Sequence, residues 1–261
     1  MSSTLVSNIS ELVTNSNPDL GIINDAALVI EDGKVVWVGG AKSAPATDSK
    51  IDGRGGTVTP GFVDSHTHAV FAGDRSADYL ARMSGGLYSS GGINTTVQAT
   101  RSASVEELRT QTRRIVEQAR SSGTTTLEIK SGYGLDIATE KKILTVAREF
   151  TTETTFLGAH VVPKDAKSRD EYVNLVKGEM LDACVDLAKW IDVFCDSSAF
   201  TVDEARDILK AGLAKGLRGR IHGNQLGDTG GADLAAELKL ASVDHCTYVS
   251  DKTLEALAAN G

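Results

Sequence analysis

Apolar and polar positions follow two rhythms along the chain. Through residues 1–60 they form short runs broken by turn residues. Ala27-Leu28-Val29-Ile30 is followed by Asp32-Gly33-Lys34 and then by Val35-Val36-Trp37-Val38 ahead of Gly39-Gly40. Asp-Gly between two β-branched runs predicts a hairpin, because the tight turn that suits twisted strands needs positive φ at both central positions. A few strands of this length do not hold a sheet by themselves. Residues 1–60 are therefore expected to form the N-terminal part of a small composite β domain, packed against the rest of the chain or against strands supplied elsewhere.

From residue 61 the rhythm becomes an alternation of short apolar runs with amphipathic, capped helices, the mark of a parallel sheet covered by helices. Strands are predicted around 61–68, 125–131, 154–161, 190–195, 218–223 and 241–248. Ser104 and Glu107 form a capping box, with Val105, Leu108, Ile115, Val116 and Ala119 near one stripe of the helix that follows. Ser168 with Glu171, and Thr201 with Glu204, repeat the signature. The natural home for the series is a TIM-like (β/α)8 barrel occupying residues 61–261, here with about six βα units. Closure needs eight strands, so the barrel is expected to be incomplete, the chain ending in or just after a sixth helix at 254–261. An open doubly wound sheet accommodates six strands without a deficit and is the structural alternative. It is weakened because no Gly-x-Gly-x-x-Gly follows the first strand.

Composition narrows the function classes. Among 261 residues, 35 acidic side chains outnumber 27 basic ones, and no Lys/Arg cluster offers a nucleic-acid surface. The N-terminus lacks a basic leader, and no apolar run reaches the roughly 18 residues of a membrane span. Cys184, Cys195 and Cys246 are odd in number and widely spaced, which suits buried free thiols in a reducing compartment. A cytoplasmic location is expected.

The chain has five histidines, His66, His68, His160, His222 and His245, and each falls at or near the C-terminal end of a predicted strand. A lone histidine is usually structural. Five at strand ends would converge on the one face where barrel active sites are built. His66 and His68, two apart on a predicted strand, point to the same side and are able to share a metal ion. Neutral imidazole suits zinc and iron alike.

The run Pro60-Gly61-Phe62-Val63-Asp64-Ser65-His66-Thr67-His68, with His222 and His245 on the fifth and sixth strands, resembles the metal-dependent amidohydrolase superfamily. Four further stretches narrow the match: Gly73-Asp74-Arg75; Gly91-Gly92-Ile93 leading to Arg101; Lys130-Ser131-Gly132-Tyr133-Gly134; and Gly158-Ala159-His160-Val161-Val162-Pro163. Together they are similar to the imidazolonepropionase family over essentially the whole chain. The resemblance implies hydrolysis of the cyclic amide of 4-imidazolone-5-propanoate to N-formimidoyl-L-glutamate in histidine degradation. It implies one divalent ion, zinc or iron, on His66, His68 and His222, completed by an aspartate from an eighth strand that these residues do not include. His245 would serve catalysis by meeting the developing oxyanion or moving a proton. Arg75, with its planar fork, would grip the substrate carboxylate, and Tyr133 and His160 would orient the ring.

The plainer alternatives are a surface charge for Arg75 and a turn cap for Tyr133. Gln225 stands three residues after His222, where the commoner pattern has Glu. An amide cannot act as a base, but it can hydrogen-bond the substrate. The glycine-rich run 84–92 lacks the Gly-Lys-Ser/Thr of a phosphate cradle and reads as a flexible loop over the site. The expected partner is a small carboxylate-bearing molecule, with neither nucleic acid nor membrane, and related enzymes suggest a homodimer. Competing functions are another amidohydrolase, such as a heterocycle deaminase, or a truncated, inactive chain that binds metal weakly.

Overall fold

The computed structural model describes residues 2–16, 19–85 and 91–260. The chain divides into two compact units, residues 1–62 and 63–261.

In the first unit, β1 (Ser3–Val13), β2 (Ile22–Glu31), β3 (Lys34–Gly40) and β4 (Ser49–Val58) form one sheet in the order β3-β2-β1-β4. The β2–β3 hairpin closes where the Asp-Gly signal put it. Glu31 pairs with Lys34, and the two loop residues take φ of 49° at Asp32 and 75° at Gly33. Alternation along β2 sends Ala26 and Leu28 to one face, with Ile9 and Leu12 of β1, and Ala27 and Val29 to the other, with Leu5. The parallel pairing of β1 with β4 was not foreseen, since nothing local in the sequence records a pairing across some 45 residues.

The second unit alternates strands and helices. β5 (Phe62–Asp64) leads to α1 (Ser76–Met83), α2 (Gly91–Ser102) and α3 (Val105–Ser121). Next come β6 (Thr124–Lys130), α4 (Ile137–Ala147), β7 (Glu153–Ala159), α5 (Arg169–Leu175) and α6 (Leu181–Cys184). The series ends with β8 (Trp190–Cys195), α7 (Val202–Ala214), β9 (Arg218–Gly223), α8 (Gly231–Leu238), β10 (Ser242–His245) and α9 (Asp251–Ala258). The strands lie in the order β10-β9-β8-β7-β6-β5, with β6 to β10 paired in parallel.

Sheet order thus equals chain order, without the reversal that a doubly wound sheet requires, and that alternative is set aside. The sheet is also curled. At about 4.8 Å per strand, the first and sixth strands of a flat sheet would lie roughly 24 Å apart. Yet Nδ1 of His66, just past β5, is 2.9 Å from Oδ2 of Asp244 on β10. This is the parallel, curled sheet of a (β/α) barrel, six strands of it among the described residues.

Helices pack outside the sheet because their caps and stripes are as expected, with three corrections. Complete capping boxes start α3 at Ser104 and α7 at Thr201. At Ser168 only half the box forms: its hydroxyl accepts from the Glu171 N–H, while the Glu171 carboxylate pairs with Lys167. On α3 the buried stripe is Leu108, Thr112 and Val116, whereas Val105 in the first turn is exposed. The last helix begins at Asp251, capped by Ser250, earlier than the apolar run at 254 suggested.

Of the glycine-rich run, 86–90 lie outside the described residues, and Gly91 already opens α2. Cys184 and Cys195 are buried free thiols, and Cys246, just past β10, is partly buried. Among the described residues no helix is long and apolar enough to cross a membrane.

Candidate active site

The first strand is shorter than the apolar pattern indicated, so His66 and His68 sit on the loop just beyond β5 rather than within it. That loop is tied to the neighbouring strand: the Thr67 carbonyl accepts from the Lys130 N–H at 2.8 Å, and the Thr67 hydroxyl donates to the Glu128 carbonyl at 2.6 Å. His160 directly follows β7, His222 lies within β9, and His245 ends β10. All five imidazoles gather at one end of the curled sheet. The His66 ring centroid is 5.3 Å from that of His68, 4.5 Å from His222 and 5.2 Å from His245. His68 stacks on His160 at 5.0 Å.

Two of the five are oriented by carboxylates. Asp244 accepts from Nδ1 of His66 at 2.9 Å, and Asp192 accepts from Nδ1 of His222 at 3.0 Å. An ionised carboxylate only accepts, so each Nδ1 carries a proton and each Nε2 is the ring nitrogen turned away from the carboxylate. Nε2 of His222 is buried with no hydrogen-bond partner, as is Nδ1 of His68. In His160, Nδ1 donates to the Gly132 carbonyl at 2.9 Å, which likewise leaves Nε2 as the acceptor.

Burial and the neighbouring imidazole of His222 bring the His160 pKa down to about 3. Partial burial, His222 and His66 bring His245 to about 4, and burial with His160 and His222 beside it holds His68 well below its ordinary value. His68, His160 and His245 are therefore neutral nitrogen donors. Donor atoms of His66, His222 and His245 all lie within 4.8 Å of one another. The tightest trio thus includes His245, assigned from the resemblance to catalysis, while His68 leans toward His160.

Arg75 precedes α1, whose first turn is capped by the Asp74 carboxylate. It lines a cavity of about 410 Å³ together with His68, Phe71, Thr96, Arg114 and Tyr133. The Tyr133 ring stands 5.4 Å from both His68 and His160. Arg75, Tyr133, His160 and His68 thus form a second side of the site, next to the imidazole trio. The Gln225 main chain is fixed by its N–H donating to Asp196 at 3.0 Å, and its side chain is partly buried. A larger cavity of about 560 Å³, along Arg101, Tyr172 and Gly178, has no histidine in its wall.

Beneath the imidazoles lies an ionic network that the motif reading overlooked. Lys130, with no exposed surface, places Nζ 2.9 Å from Glu128, 2.8 Å from Asp192 and 3.2 Å from Asp244. Burial opposes its charge, yet the three carboxylates hold its pKa above the ordinary value. Burial likewise opposes the Asp192 charge, and His222 and Lys130 more than offset it, keeping that carboxyl well below its usual range. Burial pushes Glu128 up, against donation from Lys130 and from the Thr155 hydroxyl.

The sequence did carry a signal: Leu127-Glu128-Ile129-Lys130 and Trp190-Ile191-Asp192-Val193 set charges inside strand-like apolar runs, where an unpaired charge is costly. Glu140 was missed as well. From the first turn of α4 its carboxylate accepts from the backbone N–H groups of Gly132, Gly134 and Leu135, and so shapes the turn that carries Tyr133. Gly132 has φ of 107°, and a Cβ there would stand 2.9 Å from the His160 ring, so the turn needs glycine at that position.

No family model matches the chain. Among curated proteins, the imidazolonepropionase of Mycolicibacterium smegmatis is 52% identical over 265 residues, covering 100% of this chain and 67% of the relative. That of Streptomyces coelicolor is 54% identical over 263 residues, covering 98% and 67%. The chain therefore spans about two thirds of the length of these relatives. Among solved structures, a guanine deaminase from C. acetobutylicum superimposes with a TM-score of 0.66 at 13% identity, over 99% of this chain and 66% of that one. An A. niger ochratoxinase gives 0.64 at 17%, over 100% and 65%. Likenesses at such low identity speak for the fold alone.

Proposed function

The chain belongs to the imidazolonepropionase family, and from that premise we propose that its site opens the cyclic amide of 4-imidazolone-5-propanoate to N-formimidoyl-L-glutamate. The observation that carries the reading is the convergence of five imidazoles, with a buried and unpartnered Nε2 on His222. A divalent metal ion is the cofactor this family implies, and the donor set fits one: imidazole nitrogens, two of them on rings held from the far side by Asp244 and Asp192, suit zinc or iron. His66, His68 and His222 are the proposed ligands. When bound, such an ion polarises the amide carbonyl and lowers the pKa of water toward about 7.

The remaining work falls to this chain's own side chains. His245, at the end of β10, is the proton carrier, whereas His68 has a sealed nitrogen that calls for a partner. Arg75 receives the propanoate carboxylate through its fork. The Tyr133 phenol and the Nε2 lone pair of His160 orient the ring from beside the trio. Gln225 serves as a hydrogen-bonding amide and takes no proton. The unpaired thiols and the absence, among the described residues, of a membrane-length apolar helix support a cytoplasmic enzyme.

The test is turnover of imidazolone propanoate by the metal-loaded chain, together with two variants. His68→Ala should lose the metal. His245→Ala should keep it and lose turnover. Turnover no faster than the uncatalysed ring opening would overturn the proposal.

A further inference from the structure

Two of the proposed ligands reach the site from very different places, His222 from a central strand and His66 from beyond an edge strand, and one ammonium group connects them. Lys130 Nζ has three N–H bonds and three carboxylates within reach, at 2.9, 2.8 and 3.2 Å. Two of those carboxylates, Asp192 and Asp244, are the ones that hold Nδ1 of His222 and His66.

We propose that Lys130 is the positioning residue of the imidazole cluster: by tying Asp192 to Asp244, it fixes both Nδ1 contacts and so aims both Nε2 atoms at one point. The geometry leaves little freedom for another arrangement. Asp192 and Asp244 carry like charges and lie close enough to share a cation, so without the ammonium they repel each other, and each imidazole loses its fixed acceptor. Lys130 reaches Asp192 at 2.8 Å and Asp244 at 3.2 Å, so one ammonium spans both carboxylates. Lys130 touches neither the proposed metal position nor the substrate cavity, and it acts only through the two carboxylates.

The inference rests on reading His66 and His222 as ligands, and the test separates the two claims. On the whole 261-residue chain, imidazole nitrogen NMR without metal reads the tautomers, and chelator competition with cobalt(II) reads affinity. The unaltered chain should hold His66 and His222 as single Nδ1–H tautomers. Lys130→Met should give mixed tautomers and weaken cobalt binding by about 10- to 100-fold. Lys130→Arg, which keeps the cation, should recover part of both.

Because Lys130→Met takes the ammonium away from three carboxylates, two of them buried, the double variant Lys130→Met/Glu128→Gln removes one of the buried two and guards against failure to fold. It should show the same loss. Folded variants with unchanged tautomers and affinity, altered only in thermal stability, would overturn the proposal and leave Lys130 as a neutralising charge. An unaltered chain that binds no cobalt would overturn the metal site instead, and the tautomer comparison, which needs no metal, would still decide the role of Lys130.

Discussion

Strand β8 is buried at all six of its positions, while all three residues of β5 are exposed and none of β10 is fully buried. The candidate site draws on both kinds of strand. His222, His160 and Asp192 stand on or beside the inner strands, buried, with the Phe194 ring 5.8 Å from His222 and 6.2 Å from His160. His66, Asp244 and His245 lie on or just past β5 and β10, and there the His66–Asp244 hydrogen bond fixes one imidazole much as Asp192 fixes His222. The imidazoles are therefore held both by packing and by the ionic network of Glu128, Lys130, Asp192 and Asp244 beneath them.

The sharpest way to probe that contrast is to remove bulk from the middle. Phe156→Ala, at a fully buried position, should cost about 3–5 kcal/mol in denaturant unfolding, because the dense core closes only partly around the cavity. Next in size, His222→Ala and His66→Ala should each weaken cobalt binding by more than about 100-fold, beyond the usual cost of losing an outer partner. Similar losses at both sites would mean that the network holds an edge ligand as firmly as packing holds a central one. A much smaller loss for His66→Ala would break the comparison.

On the substrate side, Arg75→Ala should raise KM for the carboxylate-bearing substrate roughly 10- to 100-fold with little change in kcat, the size of a lost charged hydrogen bond. A matched fall in kcat at constant KM would reassign Arg75 to the chemical step.

The outer layer predicts a pH effect. The Arg169 guanidinium holds the Glu204 carboxyl at about 2, below its ordinary 4.5. The unfolded chain therefore takes up the proton first, so this stabilisation is whole above about pH 4.5 and is lost as pH falls through about 2. Unfolding midpoints of Glu204→Gln should fall less than those of the unaltered chain across that window, and by a modest amount, because the pair is partly exposed and screened. The smallest effect belongs to the edge: Val63→Ala, at a side chain that is 66% exposed, should shift stability by no more than about 0.5 kcal/mol.

Much of this was legible in the residues. Asp32-Gly33 announced a hairpin that forms at that place, and Ser104/Glu107 and Thr201/Glu204 marked helix starts that hold. Those signals are local, and their physics is complete within a few residues. The placement of five histidines at strand ends predicted their convergence without any distance being known. Glu140, Asp192 and Asp244 went unread because what they do depends on a backbone turn or a lysine that only folding brings within reach.

The sequence by itself determined the alternation of strands and helices, the family, and the donor types available for chemistry, since periodicity, caps and residue identity are properties of neighbours along the chain. Tertiary structure alone decided which nitrogens carry protons, which three imidazoles stand closest, and that a single buried ammonium connects the centre of the sheet to its edge. Those depend on a curl that brings the first and sixth strands together across some 180 residues. Hydrogen bonds and charges act over a few ångströms, and only that curl sets which groups fall within their range.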